Sequence, residues 1–417
     1  MVPRREPSTS PPAAVSGAAQ LQLLKELLRR THLSAPSDVG EVVADQAASI
    51  GASEVVVYLI DYEQTALMPL GRPDAEPLSV AGTLAGRAFR TTTIVRAARE
   101  AGDGERLWVP LLDGTERLGI VGMSFTDGTP ADETLAICER YAHLVALLLV
   151  TKGAYGDSVE LTRRRHRMTI ASELLWALVP PLVFATDRLV VAGLLEPCYD
   201  NGGDAFDYAA NGNTLSLAVF DAMGHGLAAA GIAAFALSAY RHSRRGGCDL
   251  LTTYEAMDAA VGEQFLGERY VTALIAELDL DTGRLAWISA GHPPPLVIRD
   301  GRHARSLGAP PTTPLGVEAA VAPTVAEASL EPGDLLLLYT DGLTEARRAD
   351  GTMFTTEGLS EFIVREAAAG QTAPETLRRL RHAIVDGSDG ALRDDASALL
   401  VEWGRDTERM LMPQTVL

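Results

Sequence analysis

From Ala18 to Leu33 the residues Leu21, Leu24, Leu27 and Leu28 fall three and four apart, which lays an apolar stripe along one face of a helix. A second helical pattern runs from Val39 to Ile50 and stops at Gly51, the residue type that most readily takes the left-handed turn ending a helix. The period then changes. Glu54–Ile60 and Leu67–Met68 are predicted to frame a hairpin, Arg106–Leu112 to form a strand, and Asp113-Gly114 to turn the chain into another strand at Leu118–Phe125. Thr134–Val150 predicts a buried helix. Helices that bracket a small antiparallel sheet make an α+β module, complete by about residue 155.

Between Ser158 and Ala177 the positions Met168, Ala171, Leu174, Leu175 and Leu178 again step by threes and fours, and the run stops at Pro180-Pro181. The spacing predicts one connecting helix, which could pair with its copy across a homodimer. Short apolar runs follow, each bounded by turns: Leu189–Leu195, Ala205–Ala210, Leu215–Phe220, Thr272–Leu278, Leu285–Ser289, Leu296–Arg299, Leu335–Tyr339 and Ala398–Trp403. Asn211-Gly212, Thr282-Gly283 and Asp300-Gly301 read as hairpin turns, so the sheets are expected to be mainly antiparallel. Helical patterns at Leu227–Tyr240, Leu251–Phe265, Thr356–Ala369 and Pro374–Val385 supply covering layers, and the count fits an αββα sandwich.

Composition narrows the class. With 47% hydrophobic and 22% charged residues in 417, the chain has the balance of a folded globular protein of two or three domains. A net charge of -19 repels a polyanion, so no nucleic-acid partner is expected. The one dense basic run, Arg163, Arg164, Arg165, His166 and Arg167, reads as a solvated helix face. Cys138, Cys198 and Cys248 show no metal-ligand spacing and suit unpaired thiols in a reducing compartment. The longest apolar stretches fall short of the ~20 residues of a membrane span, and no apolar core follows Arg4 and Arg5 as a signal peptide requires. The expected location is the cytoplasm.

Four aspartates at or beside the ends of apolar runs carry the chemistry: Asp204 in Gly-Gly-Asp, Asp221 in Asp-Ala-Met-Gly-His-Gly, Asp341 in Tyr-Thr-Asp-Gly, and Asp394 in Arg-Asp-Asp-Ala-Ser. Short strands could deliver all four to one sheet edge. Such a cluster repels itself unless hard divalent cations neutralise it, and two cations roughly 3.5–4 Å apart polarise a phosphoryl group and activate water. Phosphate-ester hydrolysis is the expected reaction.

Two resemblances add to this. The Gly-Ala-Ser plus strand near residue 51, Gly82-Thr-Leu-Ala-Gly-Arg-Ala-Phe89 and the strand pair around Asp113-Gly114 resemble a GAF sensory domain, which implies a small ligand of unknown identity. In the second half, Glu196-Pro-Cys-Tyr-Asp-Asn-Gly-Gly-Asp204-Ala-Phe-Asp207, Asp221-Ala-Met-Gly-His-Gly226, Ala290-Gly-His-Pro-Pro294, Pro314-Leu-Gly316, Pro332-Gly-Asp334, Tyr339-Thr-Asp-Gly-Leu-Thr-Glu345 and Asp394-Asp395 occur in the order of the SpoIIE-like, or RsbU-like, branch of the PPM-type serine phosphatases. The domains expected are a disordered tail at 1–17, a GAF-like domain at 18–155, a linker helix at 156–185, an αββα phosphatase-type domain at 186–403 and a tail at 404–417. The resemblance implies two Mn2+ or Mg2+ ions, with Asp221 bridging them, the Ala222 carbonyl adding a ligand, Asp204 completing one shell and Asp341 with Asp394 the other. Bridging water would be the nucleophile. It further implies a phosphorylated STAS-type anti-sigma-factor antagonist as substrate.

Other residues have competing explanations. Asp394 and Asp395 are adjacent and point differently; the family pattern favours Asp394. Asp207 is expected to support by hydrogen bonding rather than bind metal. His225 and His292 are candidate acids, His225 the stronger, against a structural role in Gly- and Pro-rich turns. Asn201 stands where the family usually has an apolar residue. Gly224-His-Gly226-Leu-Ala-Ala229 satisfies a dinucleotide fingerprint, but the helix continues into Arg241, Arg244 and Arg245 where a second strand with an acidic end is required. Asp279-Leu-Asp281-Thr-Gly283 lacks the glycine and glutamate positions of a calcium loop and reads as a hairpin turn. The alternative function is a binding module that keeps the fold without catalysis.

Overall fold

The computed structural model describes residues 17–72, 74–98, 104–126, 130–310, 312–318, 322–347, 351–387, 392 and 394–413. They divide into two compact units, one holding the residues up to Arg165 together with those from Met410, the other His166–Arg409. The tail expected at 1–17 lies outside the described residues but for Gly17, which opens the first helix.

In the first unit helices α1 (Gly17–Thr31) and α2 (Val39–Ala47) precede β1 (Ala52–Ile60), β2 (Ala66–Pro69), β3 (Leu78–Ser79), α3 (Leu84–Thr91), β4 (Val95–Ala98), β5 (Glu105–Asp113), β6 (Glu116–Phe125), α4 (Asp132–Gly153) and α5 (Ser158–Arg163). The strands form one antiparallel sheet in the order β3-β2-β1-β6-β5-β4. Its two faces have separate cores. Val55, Val57 and Leu59 of β1 pack with Leu23, Leu27, Val43, Tyr141 and Val145 of α1, α2 and α4, while the alternate positions Val56, Tyr58 and Ile60 pack with Ala85, Ala88 and Phe89 of α3. Among the described residues α4 is the one helix long and apolar enough to cross a membrane; Ile137, Cys138, Tyr141, Ala142, Val145, Ala146 and Leu149 bury its inner face in this core. Burial pushes the Cys138 thiol up to about 12, so it is an inert core group, and none of the three cysteines is joined to another in a disulfide.

The second unit begins with α6 (Ile170–Trp176), then β7 (Val183–Ala185), β8 (Leu189–Glu196), β9 (Asp204–Asn211), β10 (Thr214–Ala222), α7 (Gly226–Arg245), α8 (Leu250–Phe265), β11 (Val271–Asp279), β12 (Arg284–Ala290), β13 (Leu296–Arg299), β14 (His303–Ser306), β15 (Ala326–Ser329), β16 (Leu335–Tyr339), α9 (Asp341–Glu345), α10 (Thr355–Ala368), α11 (Ala373–Gly387) and β17 (Ala396–Trp403). Two antiparallel sheets result, ordered β15-β12-β11-β10-β9 and β14-β13-β16-β17-β8-β7. Strand alternation assigns their faces. Leu215, Leu217 and Val219 of β10 meet Leu336, Leu338, Leu399 and Val401 of β16 and β17 in the core between the sheets. Ala218, Phe220 and Ala222 point the other way, under α7 and α8. Helix α11 covers β8 and β17 of the other sheet, which completes the αββα sandwich.

Three expectations change. The helix expected through Ser158–Ala177 is two short helices, α5 and α6, and they fall in different units. Thr169 accounts for the break: its backbone is extended and its Oγ1 accepts from the Ser172 amide, starting α6 afresh. A continuous linker helix for pairing with a second copy is therefore not present. The basic run is solvated from Arg165 to Arg167 but does not form a helical face, because α5 ends at Arg163, which donates to the Ile60 carbonyl and stacks on Tyr62. The described part of the tail expected at 404–417 includes an ordered turn. Thr407–Leu411 form a 3-10 turn, and Thr92 Oγ1 donates to the Met410 carbonyl at 2.7 Å.

Candidate metal centre

Asp204 opens β9 and Asp221 lies one residue from the end of β10, and the two are direct partners across the antiparallel pair. Partners of this kind share a face, with Cβ atoms about 4.5–5.5 Å apart. Asp221 has the parity of Leu217 and Val219, so both carboxylates point into the gap between the sheets, where the apolar core ends. Asp204 is fully buried. Burial and the Asp221 charge hold its pKa well above the usual carboxylate range. Burial, reinforced by Asp341 and Asp394, pushes Asp221 up to about 6.

The second sheet supplies the other two acids from strand ends. Asp341 begins α9 directly after β16, and Asp394 lies two residues before β17. Both are exposed, and loss of solvent together with the Asp394 charge raises the Asp341 carboxyl. A glycine makes the juxtaposition possible: a Cβ on Gly342 would lie 1.9 Å from the Asp395 carbonyl oxygen, so only a residue without a side chain lets these two segments touch. Gly202 is tied down similarly, since a Cβ there would lie 2.2 Å from the Gly226 amide nitrogen. The Gly-Gly loop before Asp204 thus packs directly on the Gly224-His-Gly226 entry to α7, whose glycines both take positive φ.

Adjacent Asp394 and Asp395 part company. Asp395 Oδ2 accepts from the Gly202 and Gly203 amides at 2.8 and 2.6 Å, bracing the loop that carries Asp204. Burial pushes it up to about 6 despite those bonds. Asp394 is exposed, accepts from the Asp395 amide through Oδ1, and adds its charge to those of Asp221 and Asp341. Ala222 is buried, with its carbonyl oxygen beside Gly203.

His225 and His292 have different fates. His225 is exposed at the cap position of α7, beside the acids. His292 is buried with both ring nitrogens engaged: Nε2 lies 3.0 Å from the Tyr339 carbonyl and Nδ1 2.8 Å from Thr272 Oγ1. A carbonyl only accepts, so the hydrogen-bond network assigns the ring proton to Nε2. Burial lowers its pKa to about 4, leaving a neutral ring that rivets one sheet to the other. Thr272 is the partner of Asp221 across β10 and β11, with its Oγ1 3.4 Å from Asp221 Oδ2.

Asp207 fits the supporting part expected of it, though its partners are basic. It lies on the opposite face of β9 from Asp204; Arg241 Nε and Nη2 donate to its Oδ1 at 3.1 and 2.6 Å, and Arg244 Nη2 lies 3.1 Å from Oδ2. Asn201 is buried behind Gly202, its amide donating to Ser172 Oγ at 2.8 Å. Two residues of consequence have no sequence signature of their own. Thr340 Oγ1 accepts from the Ser397 amide at 2.8 Å and donates to Asp204 Oδ2 at 2.6 Å, and Thr272 becomes visible only once the register of β10 and β11 is known.

The donor set suits hard divalent cations: all-oxygen, predominantly carboxylate, partly withdrawn from water and repelling itself. Among the described residues no three carboxylate, imidazole or thiolate groups close around a common point. Several of the acids also accept from protein donors, Asp204 from Thr340, Asp395 from the glycine amides and Asp394 from the Asp395 amide.

Residues 211–404 match the family model described as Stage II sporulation protein E (SpoIIE). The second unit carries a SpoIIE-family domain. The SpoIIE match takes in Asp221, Asp341 and Asp394 and starts just after Asp204 and Asp207. Over 237 residues the chain is 20% identical to the phosphoserine phosphatase RsbU of Bacillus subtilis, covering 57% of this chain and 70% of that one. It is 26% identical over 134 residues to protein IcfG of a Synechocystis species, 32% of this chain and only 20% of that protein's length. Among solved structures, the RsbU and RsbW domains of a Mycobacterium tuberculosis protein align over 54% of this chain and 61% of that one at 28% identity and TM-score 0.45. The SiaA-PP2C domain of Pseudomonas aeruginosa aligns over 51% and 85% at 21% identity and TM-score 0.46.

Proposed function

We propose that the chain is a metal-dependent phosphatase that hydrolyses phosphoserine or phosphothreonine on a protein, with its first unit, a GAF-like sensory domain, adjusting output. The observation that carries this is the meeting of acids from both sheets: Asp204 and Asp221 as cross-strand partners, Asp341 and Asp394 near enough to raise the Asp221 pKa. Asp204, Asp221, Asp341, Asp394 and the Ala222 carbonyl would hold two Mn2+ or Mg2+ ions. When bound, these polarise the phosphoryl group and supply a hydroxide nucleophile near neutral pH. The chain's own part is to bring the acids together, to brace the Asp204 loop through Asp395, and to orient Asp204 through Thr340. His225, exposed beside the acids at the start of α7, can give a proton to the departing serine oxygen. By likeness to RsbU, the substrate would be a phosphorylated STAS-type antagonist, and cysteines that form no disulfide suit a cytoplasmic setting.

The test is release of phosphate from a phosphoserine protein with Mn2+. Asp221→Ala should lower turnover by about a thousandfold, roughly 4 kcal/mol of barrier, with its circular dichroism unchanged. Equal turnover in that variant, or in chelator, defeats the proposal. The docking-module alternative draws on one observation, that no three groups close around a common point. Mutual repulsion of like charges accounts for that spacing as well, and tight Mn2+ binding by calorimetry would separate the two.

A further inference from the structure

The first unit contains a cavity of about 550 Å3 on the sheet face that α3 covers. One side is apolar, with Leu78, Leu84 and Ala85. The other is a polar row across three strands: Glu54 of β1 pairs in register with Ser124 of β6, and Ser124 with Arg106 of β5. Trp108 stands two residues along β5 and so on the same face. The Arg106 guanidinium lies over its indole, 4.5 Å from the ring centroid. The register partner of Trp108 is Gly122, where a Cβ would lie 2.8 Å from the indole and 3.2 Å from Arg106 Nη2. A side chain at 122 would push the stacked pair off the sheet.

A guanidinium held flat on an aromatic face has lost most of its rotamer freedom in advance, so its planar edge is ready for a planar acceptor. One end is loosely engaged, with Nη1 4.0 Å from Glu54 Oε2. The other is not: Nε is buried and makes no hydrogen bond. A carboxylate set against Nε–H and Nη2–H would satisfy both in the paired geometry that arginine favours. The Glu54 charge at the far end of the row disfavours a dianion.

We propose that this cavity binds a small organic monoanion, a carboxylate on an apolar body, with the carboxylate on Arg106 and the body against Leu78, Leu84 and Ala85. It rests on the sensory role of the first unit for its consequence but not for its test, because binding is read directly without phosphatase activity.

Phenylacetate is the probe, titrated into the full chain by calorimetry and by tryptophan fluorescence. The expected result is one saturable site of about millimolar affinity or tighter, weakened at least tenfold in Arg106→Gln. Arg106→Lys keeps the charge and loses the planar edge, so it should weaken binding comparably, and it keeps the test valid if the glutamine variant fails to fold. Trp108→Phe should abolish the fluorescence change. Any of these results overturns the proposal: no saturable binding of phenylacetate or hexanoate, unchanged affinity in Arg106→Lys, or equal competition by neutral 2-phenylethanol. Inorganic phosphate binding as tightly as phenylacetate also overturns it, since the apolar wall would then play no part.

Discussion

Asp204 and Asp207 are three residues apart on β9, both buried and both acidic, yet they face opposite sides of the strand and meet opposite chemistry. Asp207 faces α7 and receives two arginines, Arg241 and Arg244, one helical turn apart. Its charge is compensated, and it clamps the helix to the sheet. Asp204 faces the gap between the sheets, where its neighbours are Asp221 and Asp395 and neutral Thr340 donates a hydrogen bond to it. A buried carboxylate among other carboxylates is a cost to the fold. The contrast separates a charge kept for stability from one kept at a cost to stability, which is the mark of a ligand site.

The largest effect that can break this comparison is on stability. Asp207→Ala leaves Arg241 and Arg244 without their buried partner and should destabilise the second unit by about 3–5 kcal/mol, read from urea unfolding. Asp204→Asn in chelator at pH 7 should cost little or stabilise, because it removes a raised-pKa carboxyl while its amide oxygen can still accept from Thr340. If both variants lose stability equally, Asp204 is a structural acid and the distinction fails.

Much of this was legible in the chain because it depends on local pattern. The eight apolar runs of the second half all became strands, and Asn211-Gly212, Thr282-Gly283 and Asp300-Gly301 all turn hairpins, since strand period and turn chemistry are properties of a few consecutive residues. Strands β7, β14 and β15 were not foreseen: they are three or four residues long, and His303–Ser306 is exposed throughout with no apolar face to read. The predicted connecting helix failed at Thr169, where a hydroxyl capping the next turn outweighed continuous apolar spacing. Within the site, the acids could be named because each sits in a compact motif. That Asp395 braces the Gly202-Gly203 loop could not, since the contact spans 193 residues of sequence.

His292 sharpens the comparison by the same logic of buried charge, with the sign reversed. Its folded pKa, lowered to about 4, lies below the unfolded value near 6.5. The neutral ring therefore contributes stability that is fully present above pH 6.5 and is lost as pH falls from 6.5 toward 4, up to about 3 kcal/mol. Asp221 and Asp395, both raised to about 6, act oppositely and add stability as pH falls from 6 toward 4. Asp204 and Asp341 are raised as well, so the carboxyls outweigh the single histidine and the second unit should gain stability in chelator as pH falls from 6 toward 4. His292→Asn isolates one side of the balance: its deficit against the native chain should be largest at pH 7 and shrink steadily by pH 4. A deficit constant across that range would mean that the ring is not held neutral.

The smallest effect is the most specific, because it leaves every acid in place. Thr340 Oγ1 accepts from the Ser397 amide, and its own proton goes to Asp204 Oδ2 at 2.6 Å in preference to the Ser397 carbonyl at 3.5 Å. That single hydroxyl fixes which oxygen of Asp204 remains for a ligand, and it ties β9 to the β16 and β17 ends that carry Asp341 and Asp394. Thr340→Val keeps the shape and removes the donor. Mn2+ affinity by calorimetry should then fall about 10- to 100-fold, the usual consequence of losing a group that orients a ligand, and Thr340→Ser should restore most of it. A purely packing role predicts the reverse order, with valine tolerated and serine, which leaves a methyl-sized gap, the weaker binder.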